Sequence, residues 1–335
     1  MTRILFLSFF GFREYILDIK NEFTDQGYVV EQIPYLSLKQ DNKMTDDQII
    51  LEIKKVVFSD PVNPVKFMMM FILPSNANFI KTLKTACSIS DDGMKHNLLT
   101  VFYNFDDPVS INVDLLNYSR DIDLFVTPLE ESMDKLKILL SPMTQIHHSP
   151  KFITDIPKYT EIPEAQKTTD IVVFYDTSRE YVYDIKKILI EIKHMCIDHD
   201  MKIKLYGSSD LEDVYPDIYM GIYNTDNLQQ IVSDSKVCVF MENNFNKNSP
   251  IDPMVYNLMK YGCILMIPYN KKMSRLAKDQ LTCLIYDDRY LEKLFNCVKK
   301  YSKFKLIGKQ AHDDIESKYS LKAWTKQMKQ LIDNF

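Results

Sequence analysis

Glycine is scarce, with 7 residues in a chain of 335, about a third of the usual share near 7%. Each one is therefore informative, and Gly11, Gly207, Gly221 and Gly262 return below. The first apolar run is followed by Gly11 alone, so the G-x-G-x-x-G of an ordinary NAD or FAD site is missing. The chain also lacks G-x-x-x-x-G-K-[ST], which speaks against a P-loop kinase or ATPase. It lacks G-x-S-x-G, which removes the commonest hydrolase reading. Its 6 cysteines form no C-x-x-C pair and several sit in apolar runs, so buried free thiols are expected and zinc is not. No apolar run reaches 18 residues, and none is expected to span a membrane. The opening MTRILFLSFFGFREY is apolar over only about eight residues and fits a buried strand better than a signal peptide. A cytoplasmic protein is the resulting expectation. The net charge of −5 is spread without a basic stripe, so nucleic acid is not an expected partner.

What is present is alternation. Apolar residues make up 46% and charged residues 26%, the balance of a globular protein. At about 150 residues per domain the length suits two domains. Ile4 to Phe9 is a short continuous apolar run, as in a strand covered on both faces. Further strands are read at Tyr28 to Ile33, Val65 to Leu73, Leu98 to Tyr103, Leu124 to Thr127 and Met143 to His147. Helical periodicity is read at Phe12 to Thr24, Thr45 to Phe58, Asn76 to Ile89 and Glu130 to Leu140. Pro150, Pro157 and Pro163 then fall within fourteen residues that have no apolar period, the best linker in the chain.

The alternation restarts with strands at Asp170 to Tyr175, Lys202 to Tyr206, Val237 to Met241, Cys263 to Ile267 and Thr282 to Tyr286. Helices are read at Glu180 to Ile197, Asn227 to Ser233, Pro253 to Lys260, Met273 to Lys278, Arg289 to Tyr301, His312 to Tyr319 and Leu321 to Phe335. This order predicts an α/β fold of two Rossmann-like domains, each a parallel sheet with helices on both faces. The expected divisions are a domain over 1–152, a linker over 153–168, a domain over 169–318 and a last helical segment over 319–335. Ligands of open α/β sheets sit beyond the carboxyl ends of the strands, so the loops that follow strands are where function is sought.

Met241 to Ile267 is the most informative stretch. A strand end leads to a polar loop with Glu242, Asn243, Asn244 and Ser249, then to a helix opening at Pro253, to Gly262 and to another strand. A helix start offers free N–H groups and partial positive charge to a phosphate. An ordinary strand-loop-helix connection has the same outline. Asp106 and Asp107 follow a strand, where a carboxylate takes the proton of an attacking hydroxyl. An Asp-Asp-Pro turn that only ends the strand and caps a helix reads the same way. Asp176, Thr177, Ser178 and Arg179 follow the first strand of the second half. Arg179 suits a diphosphate, or is a surface arginine on the next helix. Gly11 permits a tight turn where a ligand approaches. His147 and His148 are read as an exposed pair without a ligand role.

Three blocks resemble GT-B glycosyltransferases, and more narrowly the CgeB-like group. Tyr256-Asn257-Leu258-Met259-Lys260-Tyr261-Gly262 is similar to the family's "EALACG" helix end. Met220 to Leu228, with Ile231 to Val237 after it, resembles "G-x-V…L…Y…AD-V", and Leu205-Tyr206-Gly207 resembles the strand and glycine that open this half. Thr100 to Pro108 is similar to the "W-x-x-D-D-P" block, and Asp121 to Pro128 continues it. The resemblance implies the GT-B architecture and a nucleotide sugar, UDP- or GDP-linked, as donor substrate rather than as a bound cofactor. It implies transfer to a hydroxyl on a glycan, a protein or a small molecule, without a metal. By the same resemblance Ile222 and Tyr223 meet the nucleobase through their backbone, and Tyr206, Gly207, Tyr256 and Asn257 join the donor site. The family's two acids fall on Asn257 and Ser249, which keep hydrogen-bonding groups and lose the charge. A catalytically inactive module that binds a nucleotide sugar or glycan is therefore a second expectation. A third is a fucosyltransferase-like enzyme, from Phe240-Met241-Glu242-Asn243. Tyr319 to Trp324 resembles the end of GT-B chains, which implies that the last helix packs on the N-terminal domain through Trp324.

Overall fold

The computed structural model describes residues 2–8, 13–71, 74, 76, 78–104, 121–128, 130–177, 184–240, 251–268 and 273–334. The chain divides into two compact units. One takes the described residues up to Phe152 together with those from Leu321 onward, and the other takes those from Ile153 to Ser320.

The first unit runs β1 (Arg3–Ser8), α1 (Arg13–Asp25), β2 (Val29–Pro34), α2 (Tyr35–Gln40), α3 (Asp46–Val57), β3 (Phe67–Met70), α4 (Phe79–Ala86), β4 (Leu99–Tyr103), β5 (Leu124–Thr127), α5 (Met133–Leu139) and β6 (Gln145–His148). Its six strands are all parallel, in the order β2-β1-β3-β4-β5-β6. β1 and β3 are buried at every residue, which is why Ile4 to Leu7 and all of β3 read as unbroken apolar runs. Successive side chains point to opposite faces. Leu5, Leu7, Met68 and Met70 pack with Ile49 and Ile53 of α3 on one side. Ile4, Phe6 and Met69 pack with Ile16, Ile19 and Phe23 of α1 on the other. Thr45 caps α3 through a reciprocal bond pair with Gln48. The C-terminal helix (Leu321–Asp333) belongs to this unit. Its Trp324 is 2% exposed and sits edge-on to Tyr103, ring centroids 5.0 Å apart, with Phe152 at 4.6 Å. It is a packing residue.

The second unit runs β7 (Thr169–Tyr175), α6 (Ile185–Asp198), β8 (Ile203–Gly207), α7 (Leu211–Val214), α8 (Thr225–Ser233), β9 (Ser235–Phe240), α9 (Pro253–Lys260), β10 (Ile264–Pro268), β11 (Leu284–Tyr286), α10 (Tyr290–Lys299) and α11 (Tyr301–Tyr319). The strands are parallel in the order β11-β10-β9-β7-β8. The strand order reverses at β7, so the topological switch point lies between β7 and β9. α9 begins where its sequence says: Asp252 accepts the Met254 N–H at 2.8 Å, and Pro253 takes the first helical position. All six cysteines are buried and free.

Several elements differ from the sequence reading. α2 and α7 are short helices with too few turns to show a period. α6 starts at Ile185, capped by Asp184, and the first residues of the expected helix, Glu180 to Tyr183, lie outside the described residues. Of the short helix expected at Met273 to Lys278, Met273 is a 3-10 helical residue, Ser274 to Leu276 are turns, and the stretch is closed by Thr282, whose hydroxyl donates to Leu276 O and accepts from Lys278 N. The helix placed at His312 to Tyr319 begins at Tyr301 and is 19 residues long. The proline-rich stretch is no free tether, because it lies along α11. Ile153 N donates to Tyr319 O at 2.7 Å, His312 bonds Pro157 O at 2.8 Å, and Lys305 pairs with Glu161 at 2.6 Å.

Candidate functional site

The carboxyl edge of the second sheet is organised by a few small polar residues. Gly207 ends β8 beside Tyr175 of β7, and a Cβ there would fall 1.5 Å from the Tyr175 carbonyl oxygen. Only glycine allows the two strands to finish side by side. Directly after it, the Ser208 hydroxyl donates to Asp176 at 2.9 Å and accepts the Thr177 N–H at 2.8 Å. The Thr177 hydroxyl donates to Asp210 at 2.8 Å. The loop after β7 is thus tied to the loop after β8 by two hydroxyl groups, Thr177, which the sequence reading nominated, and Ser208, which with Asp210 it did not. The signal was the Ser-Ser-Asp that follows Gly207.

Residues 218–221 extend this edge as a parallel addition to β8. Leu205 N donates to Ile218 O at 2.8 Å, Met220 N to Leu205 O at 2.9 Å, and Gly207 N to Gly221 O at 3.1 Å. Gly221 takes φ +113°, a left-handed conformation that side chains resist, and it turns the chain out of the pairing. Ile222 then lies exposed. The Tyr223 ring stands edge-on to Phe174 at 5.2 Å. Asn224 caps α8, accepting from Asp226 and Asn227 at 3.0 Å each, while the Asn227 side chain reaches back to the Asn224 N–H.

The other nominated residues fall in three places. Tyr206 lies on the face of the sheet, its ring stacked on Phe174 with centroids 6.3 Å apart, and burial followed by the Asp234 charge pushes its hydroxyl pKa up. Tyr256 is 4% exposed, with its ring tilted against Tyr319 at 5.5 Å. Asn257, the next residue of α9, is partly exposed, and its amide has no hydrogen-bond partner among the described residues. Gly11, Asp106, Asp107, Ser178, Arg179, Glu242, Asn243, Asn244 and Ser249 lie outside the described residues. Connectivity alone still assigns Ser178 and Arg179 to the segment after β7, and Glu242 to Ser249 to the segment after β9, the two strands that flank the switch point. Gly262 has its own task. It leaves α9 with φ +71°, lying against the Tyr159 ring and the backbone of Gly308.

Among the described residues no three His, Cys, Asp or Glu side chains gather as metal ligands, and no helix is long and apolar enough to cross a membrane. His147 is half-buried, and burial followed by the His148 charge holds its pKa below the ordinary value. Its Nε2 lies 3.4 Å from the Gln327 amide.

No family model and no curated protein matches the chain. Solved structures do. Anabaena Alr3699/HepE in complex with UDP superposes with a TM-score of 0.61 at 11% identity, over 100% of both chains. Sucrose-phosphate synthase from Thermosynechococcus elongatus gives 0.59 at 12% identity, over 100% of this chain and 99% of that one. An α-glucosyltransferase in complex with UDP and a 13-mer DNA containing a HMU base gives 0.58 at 12% identity, over 99% of each. With two all-parallel sheets matched from end to end, the chain has the GT-B fold that these glycosyltransferases share.

Proposed function

We propose that the chain is a glycosyltransferase that moves a sugar from a UDP-sugar to a hydroxyl acceptor, its donor held by the carboxyl edge of the second sheet. One coincidence carries this reading. The segments that resemble the donor region of such enzymes follow β7, β8 and β9, around the switch point where open α/β sheets bind ligands. Proteins of like fold have been solved with UDP and with UDP-glucose, which favours UDP over GDP.

On this reading Gly207, Ile222 and Tyr223 meet the nucleobase through backbone groups, and Asn257 and Ser249 bond ribose or sugar hydroxyls. Asp176, Thr177 and Ser178, with Glu242, Asn243 and Asn244, line the donor from the loops after β7 and β9. Tyr206 and Tyr256 support that edge from the sheet face and the core. The start of α9 and Arg179 take the diphosphate, so that protein groups and no metal neutralise the leaving charge. The acceptor oxygen attacks the anomeric carbon and the bond to the diphosphate breaks. UDP leaves with the electron pair, and the acceptor proton passes to Asp106 or Asp107. A net charge of −5 favours a glycan, protein or small-molecule acceptor over nucleic acid. The narrower placement is the CgeB-like group, and the free buried cysteines fit a reducing cytoplasm.

Asn257 in place of the family's acid supports a second reading, a module that binds the donor without turning it over. A panel of radiolabelled UDP- and GDP-sugars, scored for transfer and for hydrolysis, tests the first. Calorimetry with UDP and GDP separates the two: binding without turnover selects the module, and silence in both assays sinks both readings.

A further inference from the structure

The flank of the second unit holds a cavity of about 300 Å³ between the edge strand β8 and helix α8, at the lower end of the roughly 300–1,000 Å³ typical of small-molecule sites. Lys204 and Tyr206, two apart on β8, project to the same face and form its floor. Asn227, Gln230 and Ile231 of α8, with Asp234 just after it, line the helix side, and Met220 also lines the cavity. Thr169 and Ser235, the first residues of β7 and β9, also line it. The cavity therefore runs along β8, from Tyr206 at its carboxyl end, beside the edge where the donor reading places a nucleotide, to the amino ends of β7 and β9.

Its polar groups are unspent. Among the described residues neither the Lys204 ammonium nor the Tyr206 hydroxyl has a hydrogen-bond partner. The Thr169 hydroxyl is without one as well, in a residue only 2% exposed. A buried hydroxyl left unpaired costs about 1–3 kcal/mol. The Gln230 amide donates to Asp234 at 2.8 Å, so its carbonyl oxygen stays open. One cation faces one anion, which disfavours a phosphate-like dianion. A half-buried tyrosine ring offers an apolar face and a polar tip together. Those groups match a hydroxylated ring that lays its C–H face on an aromatic and trades hydrogen bonds with ammonium, amide and carboxylate.

We propose that this cavity is a saccharide site, about one sugar ring in size, that adjoins the donor edge at Tyr206 and binds sugar independently of the nucleotide. The inference stands on the cavity and does not depend on the glycosyltransferase reading.

The test is saturation-transfer NMR and titration with glucose, N-acetylglucosamine and maltose, alongside calorimetry with UDP. The expected result is saturable binding of at least one of the three that Lys204→Met and Gln230→Ala each weaken about 10-fold. Thermal unfolding and UDP affinity should stay unchanged in both variants. No binding at roughly 100 mM of each sugar to folded protein overturns the proposal. So does sugar binding that neither variant moves, sugar that UDP displaces, or binding of inorganic phosphate alone that Lys204→Met abolishes. Failure of the donor reading is read separately, as absent UDP binding.

Discussion

Gly262 and Gly308 meet backbone to backbone: a Cβ on Gly308 would fall 2.1 Å from the Gly262 carbonyl oxygen. Gly308 lies in the middle of α11, where glycine costs about 1 kcal/mol relative to alanine. The close approach explains why it is there. Two predictions of opposite sign follow for Gly308→Ala. Helix propensity alone gives a gain of about 1 kcal/mol. Overpacking against a backbone carbonyl, which cannot swing aside as a side chain would, costs about 1–3 kcal/mol or more. The contact should win, and urea unfolding should show a net loss. A variant as stable as the parent would mean that the helix does not sit this close.

Legibility in the sequence followed the same division between local and tertiary causes. β1, β3, β5 and β7 were readable because they are buried on both faces and so carry continuous apolar runs, Ile4 to Leu7, Phe67 to Met70, Leu124 to Val126 and Ile171 to Tyr175. α9 was readable to the residue because Pro253 and Gly262 punctuate it. The front half of α11 was lost because Gly308 interrupts its apolar period, and its reason for being glycine is 46 residues away in sequence. The proline-rich segment was legible as aperiodic, but its hold on α11 uses Pro157 O, Ile153 N and the Tyr159 ring, none of which has a pattern. Within the site, Gly207 stood out by rarity, while its cause is a carbonyl on the neighbouring strand. Ser208 was marked only by the Ser-Ser-Asp that follows Gly207, and its partners Asp176 and Thr177 emerge once β7 and β8 are placed side by side.

Ser208 ties the loop after β7 to the loop after β8 through two hydrogen bonds. Ser208→Ala removes both, and at about 0.5–1.5 kcal/mol each the stability loss should be on the order of 1–3 kcal/mol. If the loop after β7 carries diphosphate contacts, UDP affinity should also fall by about 10-fold. Ser208→Thr keeps the hydroxyl and should restore most of both. Calorimetry beside thermal unfolding reads the two effects separately. Affinity unchanged in a destabilised Ser208→Ala would mean that the link is structural only.

His147 sets an acid limb for the stability of the first unit. Burial, then the neighbouring His148 charge, depress its folded pKa below the ordinary 6.5. The Gln327 amide 3.4 Å from Nε2 suits a neutral ring that accepts there. Above about pH 6.5 the ring is neutral in both folded and unfolded chains, so it contributes no pH dependence. As pH falls below that value the unfolded chain takes the proton first, and stability is lost down to the folded pKa. Urea unfolding at about pH 7.5 and about pH 5 should therefore differ less in His147→Gln than in the parent. An equal difference in the two proteins would assign the acid limb to other groups.

Asn257 gives the sharpest test of what the donor edge grips. Its amide is partly exposed on α9 and has no partner among the described residues, and the resemblance of this block to the donor helix of GT-B enzymes implies a glutamate at its position. Asn257→Ala should leave thermal unfolding unchanged, because no internal bond is lost. If the amide meets a ribose hydroxyl, the variant should weaken UDP by about 3- to 10-fold, the worth of one neutral hydrogen bond. Asn257→Glu should act the other way. A carboxylate accepting from a hydroxyl makes a charge-assisted bond roughly twice as strong as a neutral one, so UDP should bind tighter than to the parent. A weaker UDP complex in Asn257→Glu, with Asn257→Ala unaffected, would place the residue beside the diphosphate instead, where an added negative charge repels. The order of the three affinities by calorimetry thus reports which part of the nucleotide α9 faces.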